Sequence, residues 1–188
     1  EVLAAVGGRL LHFLDPYRYR STFHRSNPNI SEEEFTRDYL NHLEEIILYE
    51  GPESIAAILM ESVTGTNGII IPPEGYMQGV RALCDKYGIV MIADEVMSGF
   101  GRTGKWFAIE HWNVVPDMIT MAKGLTSAYA PLGAVAMKPE IAAAFARVPE
   151  AVRRTVEIAE RCTFSLSELK YEYPEELAPP GLSPIEYL

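Results

Sequence analysis

The apolar positions of the chain follow two different periods. Between residues 31 and 49 they recur every three or four positions, with Phe35, Tyr39, Leu43, Ile46 and Ile47 on one stripe, the spacing of an amphipathic helix. Ser31 and Glu34 form a capping box at its start. Ile55-Ala56-Ala57-Ile58-Leu59-Met60 is instead a short continuous apolar run, the pattern of a strand buried on both faces. Helical spacing returns from about Tyr76 to Tyr87, with Val80, Leu83, Cys84 and Tyr87 inward and Gly88 ending it. Ile89-Val90-Met91-Ile92-Ala93 predicts a second buried strand, closed by Asp94-Glu95. Met118–Met121 and Ala134–Met137 predict a third and fourth, and a helix begins near Pro139. Residues 1–29 contain the breakers Gly7-Gly8, Asp15-Pro16 and Asn27-Pro28 and read as irregular.

Buried strands alternating with amphipathic helices indicate an α/β layer structure with a mostly parallel sheet. In such sheets ligands sit beyond the carboxyl ends of the strands. Asp94 and Lys123 each follow a predicted strand end, which puts both on that rim.

Composition narrows the function classes. The formal charge of −10 and the lack of a basic patch disfavour non-specific nucleic-acid binding. Arg18, Arg20 and Arg25, interleaved with Tyr17, Tyr19 and Phe23, read as a surface loop. No apolar run approaches the roughly 20 residues of a membrane-spanning helix. Cys84 and Cys162 show no metal-binding spacing, and His12, His24, His42 and His111 are scattered. Such cysteine usage fits a reducing compartment, so the expected location is cytoplasmic. The first residues, Glu1-Val2-Leu3-Ala4, show neither an initiator Met nor a signal pattern and read as the interior of a longer chain.

A carboxylate at a rigid strand end, and an amine past the next strand followed by flexible Gly124, suit pyridoxal phosphate. The ring nitrogen of that cofactor needs an acidic partner and its aldehyde needs a lysine. Each residue alone has a commoner role, as a loop cap or a solvated charge. Their setting distinguishes them. Asp94-Glu95-Val96, Gly99-Phe100-Gly101-Arg102-Thr103-Gly104-Lys105, Pro116-Asp117-Met118-Ile119, Ala122-Lys123-Gly124 and Pro131-Leu132-Gly133 occur in that order.

This ordered set resembles the class III pyridoxal-phosphate aminotransferases over about residues 1–146. Glu61-Ser62-Val63-Thr64-Gly65-Thr66-Asn67-Gly68 and Pro72-Pro73-Glu74-Gly75-Tyr76 look like the ω-amino acid:pyruvate branch, which includes taurine:pyruvate enzymes. The resemblance implies part of a fold-type I large domain and a homodimer with the active site at its interface. It also implies transfer of an amino group from an ω-amino acid donor to a keto acid such as pyruvate. By the same resemblance Lys123 binds the cofactor's aldehyde carbon, Asp94 pairs with the pyridine nitrogen and Val96 packs against the ring. Thr64 stands where many members carry a Gln near the cofactor hydroxyl, and it retains one hydrogen-bond donor.

Two look-alikes fail on context. Gly99 to Lys105 nearly spells a nucleotide-binding P-loop, but Trp106 replaces the magnesium-holding Ser or Thr and the acidic strand precedes the loop. The same glycines spell a dinucleotide fingerprint, yet Asp94–Ser98 separate them from the strand.

After about Phe145 the text departs from the family. Residues 147–188 resemble a segment of bacterial replicative or error-prone DNA polymerase III α-type subunits, which implies a chimera. On that reading residues 1–146 are a partial aminotransferase domain, and residues 147–188 are a polymerase-like helical segment with an extended tail. Residues 149–161 carry a helical pattern with Val152, Val156 and Ala159 inward, and Pro174, Pro179, Pro180 and Pro184 favour extended chain. The family's phosphate-binding loop, ring-stacking pair and substrate-clamping segment find no counterpart here. The chain alone is therefore expected to be a weak transaminase or none. An inert globular fragment and a polymerase-associated accessory segment are the alternatives.

Overall fold

A computed structural model describes residues 10–145 and 147–161. The chain divides into two compact units, Glu1–Ala142 and Ala143–Leu188. The helices are α1 (Thr22–Ser26), α2 (Glu32–Glu50), α3 (Tyr76–Tyr87), α4 (Pro139–Phe145) and α5 (Pro149–Arg161). The strands are β1 (Ala57–Glu61), β2 (Val90–Asp94), β3 (Met118–Met121) and β4 (Ala134–Met137).

The long predicted elements form where the periodicity puts them. Ser31 caps α2, accepting from the Glu34 N–H at 3.1 Å, while Glu34 accepts from the Ser31 N–H at 3.0 Å. Phe35, Tyr39, Leu43 and Ile47 are buried, whereas Ile46 is only half-buried. In α3, Val80, Leu83 and Cys84 point inward with Tyr76 and Met77, and Gly88 ends the helix in the left-handed region at φ 68°. One apolar cluster joins these helix faces to Ile58 of β1, to Ile89 and Met91 beside and within β2, and to Ile109 and Val114. Tyr39 and Tyr76 meet edge to face, their centroids 5.2 Å apart. Burial pushes both phenols above the ordinary range.

The four strands lie in the order β1-β2-β3-β4. β1, β2 and β3 are mutually parallel, and β4 returns antiparallel to β3. β1 is the first strand of that order among the described residues, and its burial pattern corrects the expectation that it is buried on both faces. Only Ile58 within it is buried. β2 likewise alternates, with Met91 and Ala93 buried and Val90, Ile92 and Asp94 half-buried. A second correction concerns the region read as irregular, where Thr22–Ser26 form a short helix. Its cap is Ser21, whose hydroxyl accepts from the His24 N–H at 3.0 Å.

The end of the sheet opposite the carboxyl rim is held by one carboxylate. Asp117, just before β3, accepts from Arg81 of α3 at 2.7 Å, from the Met91 N–H at 2.8 Å and from Lys138 after β4 at 2.6 Å. Burial raises its pKa, but the Lys138, Met91 and Arg81 hydrogen bonds outweigh that and hold it at about 2.

In the second unit α5 spans Pro149–Arg161, as the pattern predicts. Arg153 pairs with Glu150 and Glu157 along its exposed side. The expected inward positions Val152, Val156 and Ala159, and the extended tail beyond Arg161, lie outside the residues whose side chains or backbone are described.

Candidate active site

Three parallel strands bring their carboxyl ends to one rim. The register pairs Glu61 of β1 with Asp94 of β2, and Asp94 with Thr120 of β3. Residues in register on neighbouring strands present their side chains to the same face. Glu61, Asp94 and Thr120 thus form a polar row across the half-open face of the sheet.

Asp94 is half-buried. Its Oδ1 accepts from the Val96 N–H at 2.9 Å, and its Oδ2 has no partner among the described residues. Beside it, the Thr120 hydroxyl is buried without a hydrogen-bond partner. A buried hydroxyl left unpaired costs about 1–3 kcal/mol, so this row holds polar capacity that the described residues do not use.

Lys123 follows Thr120 by three positions and opens a 3-10 turn, Lys123–Leu125. It is exposed and has no acidic partner within ion-pair distance among the described residues. Its φ is 41°, a left-handed conformation that costs a non-glycine residue roughly 1–2 kcal/mol. The surroundings hold it there. The Leu125 N–H donates to Ala122 O at 2.9 Å. A Cβ on Gly124 would stand 2.8 Å from Phe100 Cβ, so only glycine fits behind the lysine. Phe100 is itself left-handed, with φ 60°, and its N–H donates to Trp106 O at 2.6 Å. The loop after β2 thereby braces the turn that presents Lys123. Overdetermined backbone strain of this kind concentrates at functional positions.

Thr64 lies three positions beyond β1 and pairs with Ile70 across a small two-way bridge, with N···O distances of 3.0 and 2.9 Å. The next residue, Gly65, donates to Glu61 Oε2 at 2.7 Å. A Cβ there would lie 2.2 Å from Met97 Sδ, so the Thr64 loop rests on the residue after Val96. Val96 is half-buried and lies two positions after Asp94, in the turn. All four residues singled out in the sequence, Thr64, Asp94, Val96 and Lys123, stand at the carboxyl ends of β1, β2 and β3.

Sequence reasoning passed over the residue that ties this rim together. Glu95 is fully buried. Its Oε1 accepts from Ser62 Oγ at 2.6 Å and from the Ile109 N–H at 2.8 Å. Its Oε2 accepts from Ser98 Oγ at 2.5 Å and from the Ala108 N–H at 3.0 Å. The signal was present in the alternation of β2. Met91, Ala93 and Glu95 share the core-facing parity, and a carboxylate at such a position must be fully satisfied by hydrogen bonds.

Residues 13–151 match the model of the family described as aminotransferase class-III. The chain is 48% identical over 132 residues to γ-aminobutyrate transaminase 1, mitochondrial, of Oryza sativa subsp. indica, covering 70% of this chain and 25% of that protein. It is 52% identical over 90 residues to the taurine–pyruvate aminotransferase of Bilophila wadsworthia, covering 48% of this chain and 20% of that one. A solved taurine:2-oxoglutarate aminotransferase from Bifidobacterium kashiwanohense, in complex with PLP and glutamate, superposes with a TM-score of 0.61 at 59% identity. That match covers 63% of this chain and 27% of that one. The chain thus spans about a quarter of the length of the curated relatives it matches. The family match runs past the expected junction near residue 146, and the polymerase-like reading of residues 147–188 gains no support from the comparisons. The described α/β unit is part of a fold-type I transaminase domain with a mostly parallel sheet. From the family match and the shared fold together, the chain belongs to the class III aminotransferases.

Proposed function

We propose that this chain is the cofactor-holding part of a pyridoxal-phosphate transaminase that moves an amino group from an ω-amino acid to a keto acid such as pyruvate. One observation carries the reading. A carboxylate with an uncommitted oxygen and a lysine on a strained, braced turn flank the same rim of adjacent parallel strands. Neither group is neutralised by the other or by any other described ion pair.

The donor set fits the cofactor. Bound pyridoxal phosphate supplies an electron-accepting ring and a reactive aldehyde. Asp94 Oδ2 is available to accept the ring N–H, while Oδ1 stays fixed by the Val96 N–H. Val96 offers its apolar side chain to a ring face, and Thr64 offers one hydroxyl donor to the ring's own hydroxyl. Lys123 Nζ would hold the aldehyde carbon, and its amine is the group that would take up and return a proton there. The orphaned Thr120 hydroxyl beside Asp94 is a further donor toward a bound polar group. The choice of an ω-amino acid donor rests on the taurine–pyruvate and taurine:2-oxoglutarate relatives, and a homodimer is the assembly we propose with it.

Titration of the chain with pyridoxal phosphate, followed by visible absorbance, tests the reading. A new band that saturates in the original protein, is absent in Lys123→Ala and is weakened in Asp94→Asn is the expected result. The same spectrum for Lys123→Ala and the original protein refutes it.

A further inference from the structure

We propose that Glu95 is the positioning residue of this rim, a buried carboxylate that fixes Asp94 and Val96 relative to the ends of the neighbouring strands.

Its four hydrogen bonds come from three separate stretches of chain. Ser62 follows β1, Ser98 lies in the turn after β2, and Ala108 and Ile109 open the 3-10 segment Ala108–Trp112. The Glu95 N–H donates to Thr120 O of β3 at 3.0 Å, and its carbonyl accepts from the Gly99 N–H at 3.0 Å. A single residue is thus bonded to the exits of β1, β2 and β3. It sits between the two residues assigned to the ring, two positions after Ser62 comes Thr64, and three after Thr120 comes Lys123.

The chemistry is specific to a carboxylate. Two backbone N–H groups can only donate, so each oxygen must accept from one of them. A hydroxyl then fills the remaining lone pair of each oxygen. Glutamine keeps the shape but turns an NH2 toward either Ala108 or Ile109, where donor meets donor. Aspartate is one methylene short and cannot span Ser62 and the Ala108 amide together. Close packing leaves no slack, since a Cβ on Gly99 would lie 2.8 Å from Glu95 O. By the alternation of β2 its side chain takes the face opposite Asp94, so the role is to place other groups.

The inference rests on the reading of Asp94, Val96 and Lys123 as facing the cofactor, and two measurements on the full chain separate the two ideas. The first needs no cofactor. Amide exchange in Glu95→Gln is expected to accelerate roughly ten- to a hundredfold at Ala108 and Ile109, whose N–H groups donate to the buried carboxylate, and to rise also at Val96 and Gly99 of the rim, with Val80 and Cys84 of α3 unchanged. Equal acceleration across α3 means that Glu95 serves general stability and overturns the proposal, as does no change at the rim.

The second measurement treats the chain with pyridoxal phosphate, reduces it with borohydride and maps the labelled lysines. The original protein is expected to favour Lys123 over exposed Lys105, and Glu95→Gln to lose that preference while still unfolding cooperatively. A preference that survives in Glu95→Gln overturns the positioning role. No preference in the original protein sinks the cofactor reading instead, and the exchange result then decides on Glu95 alone.

Discussion

Asp117→Asn is the most informative stability variant, because two independent estimates of its cost can be drawn from the structure. Asp117 Oδ2 accepts from Arg81 at 2.7 Å and from the Met91 N–H at 2.8 Å, and Oδ1 accepts from Lys138 at 2.6 Å. Asparagine keeps one of these oxygens and turns an NH2 toward at least one former donor. Breaking a fully buried ion pair costs about 3–5 kcal/mol. The present site is milder. The Arg81 side chain is 15% exposed and retains Asp85 at 2.8 Å, and Lys138 at 38% exposure can turn to water. About 2–3 kcal/mol is then expected.

The second estimate uses the carboxyl itself, held at about 2 against an ordinary 3.8. That difference corresponds to about 2 kcal/mol favouring the charged form in the fold. Because the pKa is depressed, the contribution is complete above the ordinary value and disappears as pH falls from about 4 through about 2. Urea unfolding followed by circular dichroism reads both effects. At pH 7 the midpoint of Asp117→Asn is expected to fall by about 1 M, taking a slope of roughly 2 kcal/mol per M. Between pH 4 and pH 2 the two proteins should converge. Identical midpoints at pH 7, or a deficit that persists undiminished at pH 2, refute the reasoning.

Two further outcomes follow from packing. Gly124→Ala places a Cβ 2.8 Å from Phe100 Cβ, an overpacking expected to cost about 1–3 kcal/mol in urea. Adding Phe100→Gly removes that Cβ at a position whose φ of 60° suits glycine and should recover part of the loss, and strictly additive effects in the double variant count against the brace. Cys84 is fully buried and burial pushes its thiol up to about 11. Its alkylation by iodoacetamide at pH 8, followed on the Cys84 peptide, is expected to be roughly a hundredfold slower in the folded protein than in urea; equal rates contradict its burial.

Much of the fold is legible along the chain because its elements are long enough to declare a period. The α2 stripe and the Ser31–Glu34 cap, the α3 stripe with Gly88, and the runs at β2, β3 and β4 all appear where local pattern places them. The short helix Thr22–Ser26 escapes because five residues hold barely one turn of periodicity. The exposure of β1 escapes because an apolar run reports affinity for a sheet without reporting which neighbours cover it.

The same division holds at the site. The identities of Asp94 and Lys123, and their places at or just past strand ends, are properties of the sequence, since each strand end is marked by where an apolar run stops. Which strands become neighbours, and in what register, depends on pairings between segments about 30 positions apart in the chain, and these carry no local signature. Only the folded sheet sets Glu61, Asp94 and Thr120 in one row. Only the fold turns Glu95 from one more acidic letter into a buried acceptor for four donors. Composition and period are written residue by residue, whereas hydrogen-bond satisfaction in the interior is a property of the groups that folding brings together.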